Sequence, residues 1–454
     1  MSGKGPRGGS TSPQHVLLQW VKAQGASVHG THPSAIPGGG VGLVAGDNLK
    51  KDQTILSVPS SLLLTIDSLA VRRLRLPEKW SVHGKLATTF TLWHDDPEAP
   101  LQEWRRTLPT RKHVVDSMPL LWPATLQALL SQKSQDALSK QRARFDRDWD
   151  AAVTASILAD TPAILQVFKH SWLLVNSRCF WWDYPNLPKH SKKRRKLSLD
   201  SEECMSLCPF LDFFNHSYKG CAVQFTKDGY TIVCDRNYSK GEELVISYGS
   251  YCNDYLIVEY GFALPPNPSD SLSLTPQILP LLTPAQSHLL QQSSFYGNYV
   301  LHHPTTISAP NDPTPHSPKP DASAENAPPP YVPCHRTLVA LLLIQTQNSG
   351  SAKRNTQLAP AQEQKWRDFM EGKRDLAADE QRGVNELLVK VLESMGREAE
   401  DRIRDVDALT GGGEGGEVPE YGRGLVRKRW VQVRDIVRVT IGGLKGEGEE
   451  GEGE

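Results

Sequence analysis

Asn215, His216 and Tyr248 have the strongest claim on chemistry in this chain. Asn215 and His216 close an apolar run, Pro209-Phe210-Leu211-Asp212-Phe213-Phe214. An unpaired amide or imidazole in such surroundings costs a few kcal/mol, so each must hydrogen-bond something specific. That partner is either nearby backbone in a core turn or a bound ligand, and for an isolated Asn-His-Ser the core turn is the default. Tyr248 follows the strand pattern Glu243-Leu244-Val245-Ile246-Ser247. An aromatic there is a core residue unless other elements converge on it.

Three elements in register shift that balance. The first is Ile36-Pro37-Gly38-Gly39-Gly40-Val41-Gly42-Leu43, where glycines precede an apolar strand and let backbone approach a ligand closely; residues 52–59 and 62–65 read as further short strands. The second is the stripe Ile164, Val167, Phe168, Trp172, Val175, Cys179, spaced as the inward face of a helix that ends in Asn176-Ser177-Arg178. The third is a hairpin, 222–225 and 230–233, joined through Lys227-Asp228-Gly229. It leads to the strand 244–247 and then to a helical 255–262 ending in Tyr260-Gly261-Phe262.

This ordered set resembles the SET-domain protein methyltransferases, in particular the zinc-free, non-histone branch that includes the Rubisco large-subunit methyltransferases. The resemblance implies an α+β fold, a β-core of short strands split by a helical insertion and followed by an all-helical C-terminal domain. It implies S-adenosyl-L-methionine as the methyl donor. The backbone at Gly40, Gly42 and Leu43 would then meet the amino-acid end of the donor, Asn215 and His216 would hold its amino group and adenine, and Phe262 would pack on the adenine. Arg178 would bind the donor's carboxylate or pair with structural carbonyls, two alternatives of equal weight. Tyr248 is the implied catalytic tyrosine. Tyr260, Phe213 and Phe214 would line the substrate channel, with carbonyls near the two phenylalanines giving weak CH···O contacts to the methyl.

Methyl transfer to an amine is an in-line displacement, so alignment and water exclusion are the main tasks. A lysine with a pKa of about 10.4 must lose its proton before it attacks, helped by a nearby positive charge and by desolvation. No general base has to be found. The expected activity is protein-lysine N-methylation of a non-histone protein, such as a ribosomal or translation component. Histidine methylation by the same fold and a non-catalytic scaffold are the alternatives; intact Asn215, His216 and Tyr248 argue against the scaffold.

Composition is compatible with this. The 454 residues, 38% hydrophobic with 11 tryptophans, suit two or three packed units. Fifty-one basic against 51 acidic residues argue against a dedicated nucleic-acid binder. No apolar run is long enough for a membrane span, and the polar start does not read as a signal peptide. Seven scattered cysteines fit a reducing compartment, cytoplasmic or nuclear. Cys204, Cys208 and Cys221 lack zinc-ligand spacing, and no metal is expected.

The organisation expected is a disordered 1–14, a first SET half at 15–84, a helical insertion at 85–161, and a second SET half at 162–264. A helical C-terminal domain at 265–445 follows, interrupted by a disordered proline-rich insertion at 303–333, and 446–454 forms an acidic tail. The basic run Lys192-Lys193-Arg194-Arg195-Lys196 reads as a solvated loop before a nuclear address or docking patch. The partner expected is a protein substrate, with no nucleic acid or membrane, and the chain a monomer.

Overall fold

The computed structural model describes residues 12–38, 40–183, 204–306, 328–348, 359–409 and 417–449. The basic run at 192–196, the segment 411–416 and most of the proline-rich insertion lie outside them. The strands are β1 Ser27–Val28, β2 Thr31–Ile36, β3 Gly40–Ala45, β4 Thr54–Pro59, β5 Cys179–Trp181, β6 Met205–Leu207, β7 Asn215–Thr226, β8 Gly229–Val233, β9 Glu243–Ile246, β10 Ser271–Ser273, β11 Val300–His302 and β12 Val332–Pro333. The helices run from α1 Pro13–Ala23 through α2 Leu69–Arg72, α3 Val82–Leu92, α4 Gln102–Arg105, α5 Arg111–Ser117, α6 Ala124–Gln127, α7 Gln132–Thr154 and α8 Pro162–Arg178. After them come α9 Asn253–Tyr260, α10 Thr275–Ile278, α11 Pro284–Gln292, α12 His335–Asn348, α13 Pro360–Met370, α14 Ala378–Ala408 and α15 Glu420–Glu449.

The chain divides into two compact units, residues 1–121 with 138–250, and 122–137 with 251–454. The first is built on a seven-stranded sheet in the order β1-β4-β8-β7-β9-β3-β2. The hairpin expected around Asp228 and Gly229 is β7–β8, with Ala222 opposite Val233 and Thr226 opposite Gly229. Leu43, Ile55, Leu56, Ile232, Leu244 and Ile246 are all at most 1% exposed and form the sheet's core. Each fully buried leucine or isoleucine stabilises by about 1.5–3 kcal/mol relative to exposure.

Helix α8 is set by its ends and by one buried tryptophan. Thr161 accepts from the Ile164 amide, Pro162 takes the first position where its missing N–H is harmless, and Arg178 falls in the last turn. Trp172 stacks on His83 of α3 at 4.2 Å and donates Nε1–H to Asp148 Oδ2 at 3.0 Å. The arginine is thereby delivered to a defined place.

Several expectations need correction. Residues 62–65 are not a strand: a 3-10 turn covers Ser60–Leu62, and Leu64 makes a single bridge to Leu207. The helical region 85–161 is divided, because 122–137 groups with the second unit. There Ser131 and Ser134 hydroxyls donate to Asp254 Oδ1 and Trp430 donates to the Leu129 carbonyl. Tyr260 and Phe262 likewise belong to the second unit, not to the second SET half. The chain is helical from Pro13, where disorder was expected, and α15 continues to Glu449, into the expected tail. Val332–Pro333 is an edge strand on β11, inside the expected insertion; proline is tolerated at an edge because it owes no ladder hydrogen bond.

The second unit is helical apart from the sheet β10-β11-β12. The apolar period carried by Val384, Leu388, Val391, Leu392 and Met395 continues through Ala399, Ile403 and Val406, all buried, which is why α14 runs to Ala408. At the centre lies Arg429, 3% exposed, bonded to Asp254 and Asp270 at 2.6 Å each. Removing the cation leaves two buried carboxylates facing one another, so Arg429→Met should destabilise the protein by about 3–5 kcal/mol in urea unfolding. Burial opposes ionisation of Asp254, yet the Arg429 charge and its hydrogen bonds hold the carboxyl at about 2. The stability this supplies is present above the unfolded value of about 3.9 and is lost as pH falls through the folded value. That part of the acid transition should be missing in Arg429→Met.

Candidate active site

The first unit brings Asn215, His216 and Tyr248 together through one parallel pairing. Asn215 lies opposite Val245 and His216 opposite Ile246, in a sheet whose other ladders are antiparallel. Cys221 also pairs with Ile246, so residues 217–220 leave the ladder. Gly220 is required there: an added Cβ would fall 2.3 Å from the Val245 carbonyl oxygen.

Tyr248 is locked at both ends. Its backbone N–H donates to His216 Nδ1 at 3.0 Å, its hydroxyl donates to the Phe214 carbonyl at 2.6 Å, and its ring stacks on His216 at 5.0 Å. Because Nδ1 accepts, the neutral imidazole carries its proton on Nε2. Burial pushes the His216 pKa down, opposed by a hydrogen bond with the Ile246 backbone. Burial also pushes the Tyr248 hydroxyl up to about 12; Asp212 and Glu243 add to this and Arg178 opposes it. The phenol stays protonated at neutral pH.

Around this pair stand residues that sequence reasoning missed. Asn215 Nδ2 donates to Glu243 Oε1 at 2.7 Å. Asp212, with its side chain 1% exposed, accepts from Trp104 Nε1 at 3.1 Å and from Arg178 Nη1 at 3.0 Å, while the same Nη1 reaches the Asp212 carbonyl at 3.1 Å. Arg178 thus serves a carboxylate and a carbonyl. Burial raises the Asp212 carboxyl, with the Arg178 charge and Trp104 pulling it back. Asp212 sits as a lone charge between Leu211 and Phe213 in the apolar run, a signal that could have pointed to it; nothing local identifies its partner. Among the described residues, Arg178 Nε and Asp212 Oδ1 are buried without a hydrogen-bond partner. One is a donor and the other an acceptor.

The remaining predicted residues are placed unequally. Gly42 lies against the site, where an added Cβ would be 2.8 Å from both Asn215 Nδ2 and Glu243 Oε1. Leu43 is fully buried opposite Leu244. Gly40 is exposed at the β2–β3 turn, with φ +73° and no atom within 4 Å of an added Cβ. Phe213 and Phe214 are buried, 3% and 1% exposed. Phe210, just upstream, is held at φ +73°, costly for a bulky residue. In the second unit Tyr260 and Phe262 are half-buried, with rings 6.2 Å apart. Among the described residues no cluster of three or more His, Cys, Asp or Glu could hold a metal ion, and no helix is long and apolar enough to cross a membrane.

Residues 40–249 match the family profile described as the SET domain. These residues thus carry a SET domain, and the fold is similar to that of solved SET-domain structures. It is 26% identical over 291 residues to the ribosomal lysine N-methyltransferase set11 of Schizosaccharomyces pombe, covering 62% of this chain and 69% of that protein. It is also 26% identical over 291 residues to human SET domain-containing protein 4, covering 58% of this chain and 61% of that one. A more distant relative, the canine actin-histidine N-methyltransferase, is 23% identical over 272 residues, 57% of this chain and 44% of its own length. The solved structure of Rubisco LSMT bound to AdoMet superposes with a TM-score of 0.56 over 97% of this chain and 93% of that one, at 14% identity.

Two outcomes test this geometry. Gly42→Ala forces a methyl against the Asn215–Glu243 contact and Ile36, and should cost about 1–3 kcal/mol in urea unfolding. His216 favours the neutral form when folded, so its contribution is complete above the unfolded pKa of about 6.5 and is lost as pH falls through the lower folded value. An NMR titration of the imidazole should give a midpoint below that of a model peptide.

Proposed function

We propose that the protein is an S-adenosyl-L-methionine-dependent protein-lysine N-methyltransferase acting on a non-histone protein, such as a ribosomal or translation component. The observation that carries this reading is the Tyr248 hydroxyl, whose proton is committed to the Phe214 carbonyl. Its oxygen therefore offers only acceptor lone pairs to an incoming group. Support also comes from the ribosomal lysine methyltransferase among the relatives.

The residues present fit the methyl donor. Its amino-acid end is zwitterionic, and Arg178 Nε and Asp212 Oδ1 supply an unused donor and an unused acceptor. Arg178, Asn215, His216 and the backbone at Gly42 and Leu43 would hold it, Gly40 being less closely placed. When bound, it supplies an electrophilic methyl on a sulfonium. Tyr248 steers the amine through its acceptor oxygen, and Phe213 and Phe214 exclude water. The helical second unit would help hold the protein substrate. The chain would act as a monomer in the cytoplasm or nucleus, with no nucleic acid or membrane partner. Histidine as the acceptor is the second reading, favoured by the actin-histidine relative.

Labelled S-adenosylmethionine with a whole-cell extract, followed by identification of the labelled residue, tests lysine against histidine directly. Asn215→Ala should weaken donor binding by about 1–3 kcal/mol in calorimetry, because Glu243 loses its partner along with the ligand. Tyr248→Phe should keep donor affinity and lower turnover by about tenfold or more, with about 1.4 kcal/mol of barrier per decade. Normal turnover in Tyr248→Phe would assign the role to another tyrosine.

A further inference from the structure

Asn215, Glu243 and Gly42 lie on three neighbouring strands of the first unit, β7, β9 and β3. Asn215 stands opposite Val245, two residues along β9 from Glu243, so the side chains of Asn215 and Glu243 leave the sheet on the same face. Asn215 Nδ2 donates to Glu243 Oε1 at 2.7 Å. The contact passes over Gly42, where an added Cβ would lie 2.8 Å from each of the two bonded atoms. Glycine at 42 is what leaves room for it.

Burial does not demand this hydrogen bond. Both residues are half-buried, and water satisfies a half-exposed amide or carboxylate nearly as well. What the contact does is choose between two orientations of the amide. A side-chain amide has a donor end and an acceptor end of nearly the same shape, so packing alone does not set which way it points; its hydrogen-bond partner does. An ionised carboxylate only accepts, so it takes the NH2 and turns Oδ1 away from itself. Among the described residues, the bond to Glu243 is the one hydrogen bond that the Asn215 side chain makes, which leaves Oδ1 as a free acceptor. The charges nearby have a matching polarity. Arg178 and Glu243 both act on the Tyr248 hydroxyl and with opposite sign, the guanidinium favouring its ionisation and the carboxylate opposing it. A ligand end that carries an ammonium and a carboxylate finds one countercharge for each.

We propose that Glu243 is a positioning residue for the methyl donor, holding the Asn215 amide so that Oδ1 is presented to the donor's ammonium. This rests on the proposed function, which supplies the donor and gives Asn215 its role. With the amide reversed, its NH2 would face the ammonium, a hydrogen-bond donor against a donor, and the site would disfavour the ligand it is built to take. Glu243 thus acts through Asn215 and on one end of the ligand only.

The test compares the full chain with Glu243→Leu, which has no acceptor, and Glu243→Gln, which keeps an acceptor oxygen at the same reach. Calorimetry is run with S-adenosylmethionine and with 5′-methylthioadenosine, which lacks the amino-acid end. Glu243→Leu should bind S-adenosylmethionine about tenfold more weakly, and Glu243→Gln should return to within about threefold of the wild type. Methylthioadenosine should bind all three proteins within about twofold, because the amide orientation does not reach it. The ligand-free melting temperature should move by less than about 3 °C. If Glu243→Leu does not fold, Glu243→Ser, whose hydroxyl stops short of Asn215, takes its place with the same expectations. Unchanged affinity for S-adenosylmethionine in Glu243→Leu overturns the proposal. Equal losses for both ligands assign Glu243 a merely structural role and overturn it too, and a Glu243→Gln protein no better than Glu243→Leu shows that charge acts and not amide orientation. A wild-type chain that binds no S-adenosylmethionine overturns the proposed function, whereas a wild type that binds it beside an indifferent variant strikes the role of Glu243 alone.

Discussion

The geometry of the first unit's site depends on the parallel contact between the start of β7 and the end of β9. It is the parallel pairing in a seven-stranded sheet whose other ladders are antiparallel, and that contact sets Asn215 and His216 beside the backbone leading to Tyr248. A one-residue slip would turn every side chain on β9 to the opposite face, and Tyr248 would lose both the His216 acceptor and the Phe214 carbonyl. The departure of residues 217–220 from the ladder lets β7 pair with β9 first and β8 later, and Gly220 permits the close approach of backbone that follows.

Around that contact the chain departs from ordinary packing rules. Asp212 is a carboxylate buried with an arginine and a tryptophan, each partner offsetting part of its desolvation. Phe210 is a large buried aromatic at positive φ. A sheet core made only of leucines and isoleucines would avoid both costs. Their concentration within a few residues of Asn215 is the pattern expected where structure is strained for function. The buried Arg429 network of the second unit differs: both carboxylates are matched, and hydroxyls of Ser131 and Ser134 join them. It reads as stabilisation of the fold.

Much of this was legible in the chain, and the rest was hidden for identifiable reasons. Periodicity located the α8 stripe, and the Asp228-Gly229 turn located the β7–β8 hairpin, because both are local signals. Order along the chain located Asn215, His216 and Tyr248. Partner choice was not legible: Glu243 and Asp212 bond to residues brought near only by folding, and no spacing rule connects Trp104 with Asp212. Residues 62–65 carry a strand-like composition, yet the chain turns at Ser60–Leu62 and leaves one bridge. The extent of α15 was underestimated because its glycine- and glutamate-rich end reads as a tail.

The state of the Tyr248 hydroxyl bears on which acceptor the site suits. With its proton given to Phe214 and its pKa raised to about 12, the phenol is neither a base nor a donor to the incoming group. What remains is an acceptor oxygen. A neutral lysine amine has a lone pair for the methyl and N–H bonds beside it, so the oxygen can receive one of them and turn the lone pair into line. The attacking nitrogen of a neutral imidazole carries no hydrogen; its one N–H is on the other ring nitrogen. An acceptor at the point of transfer therefore orients an amine directly and an imidazole only through its far side. On the proposed reading, in which Tyr248 stands at the point of transfer, that asymmetry supports lysine, and a histidine-directed site would need a second group, set back from Tyr248, to hold the distal N–H.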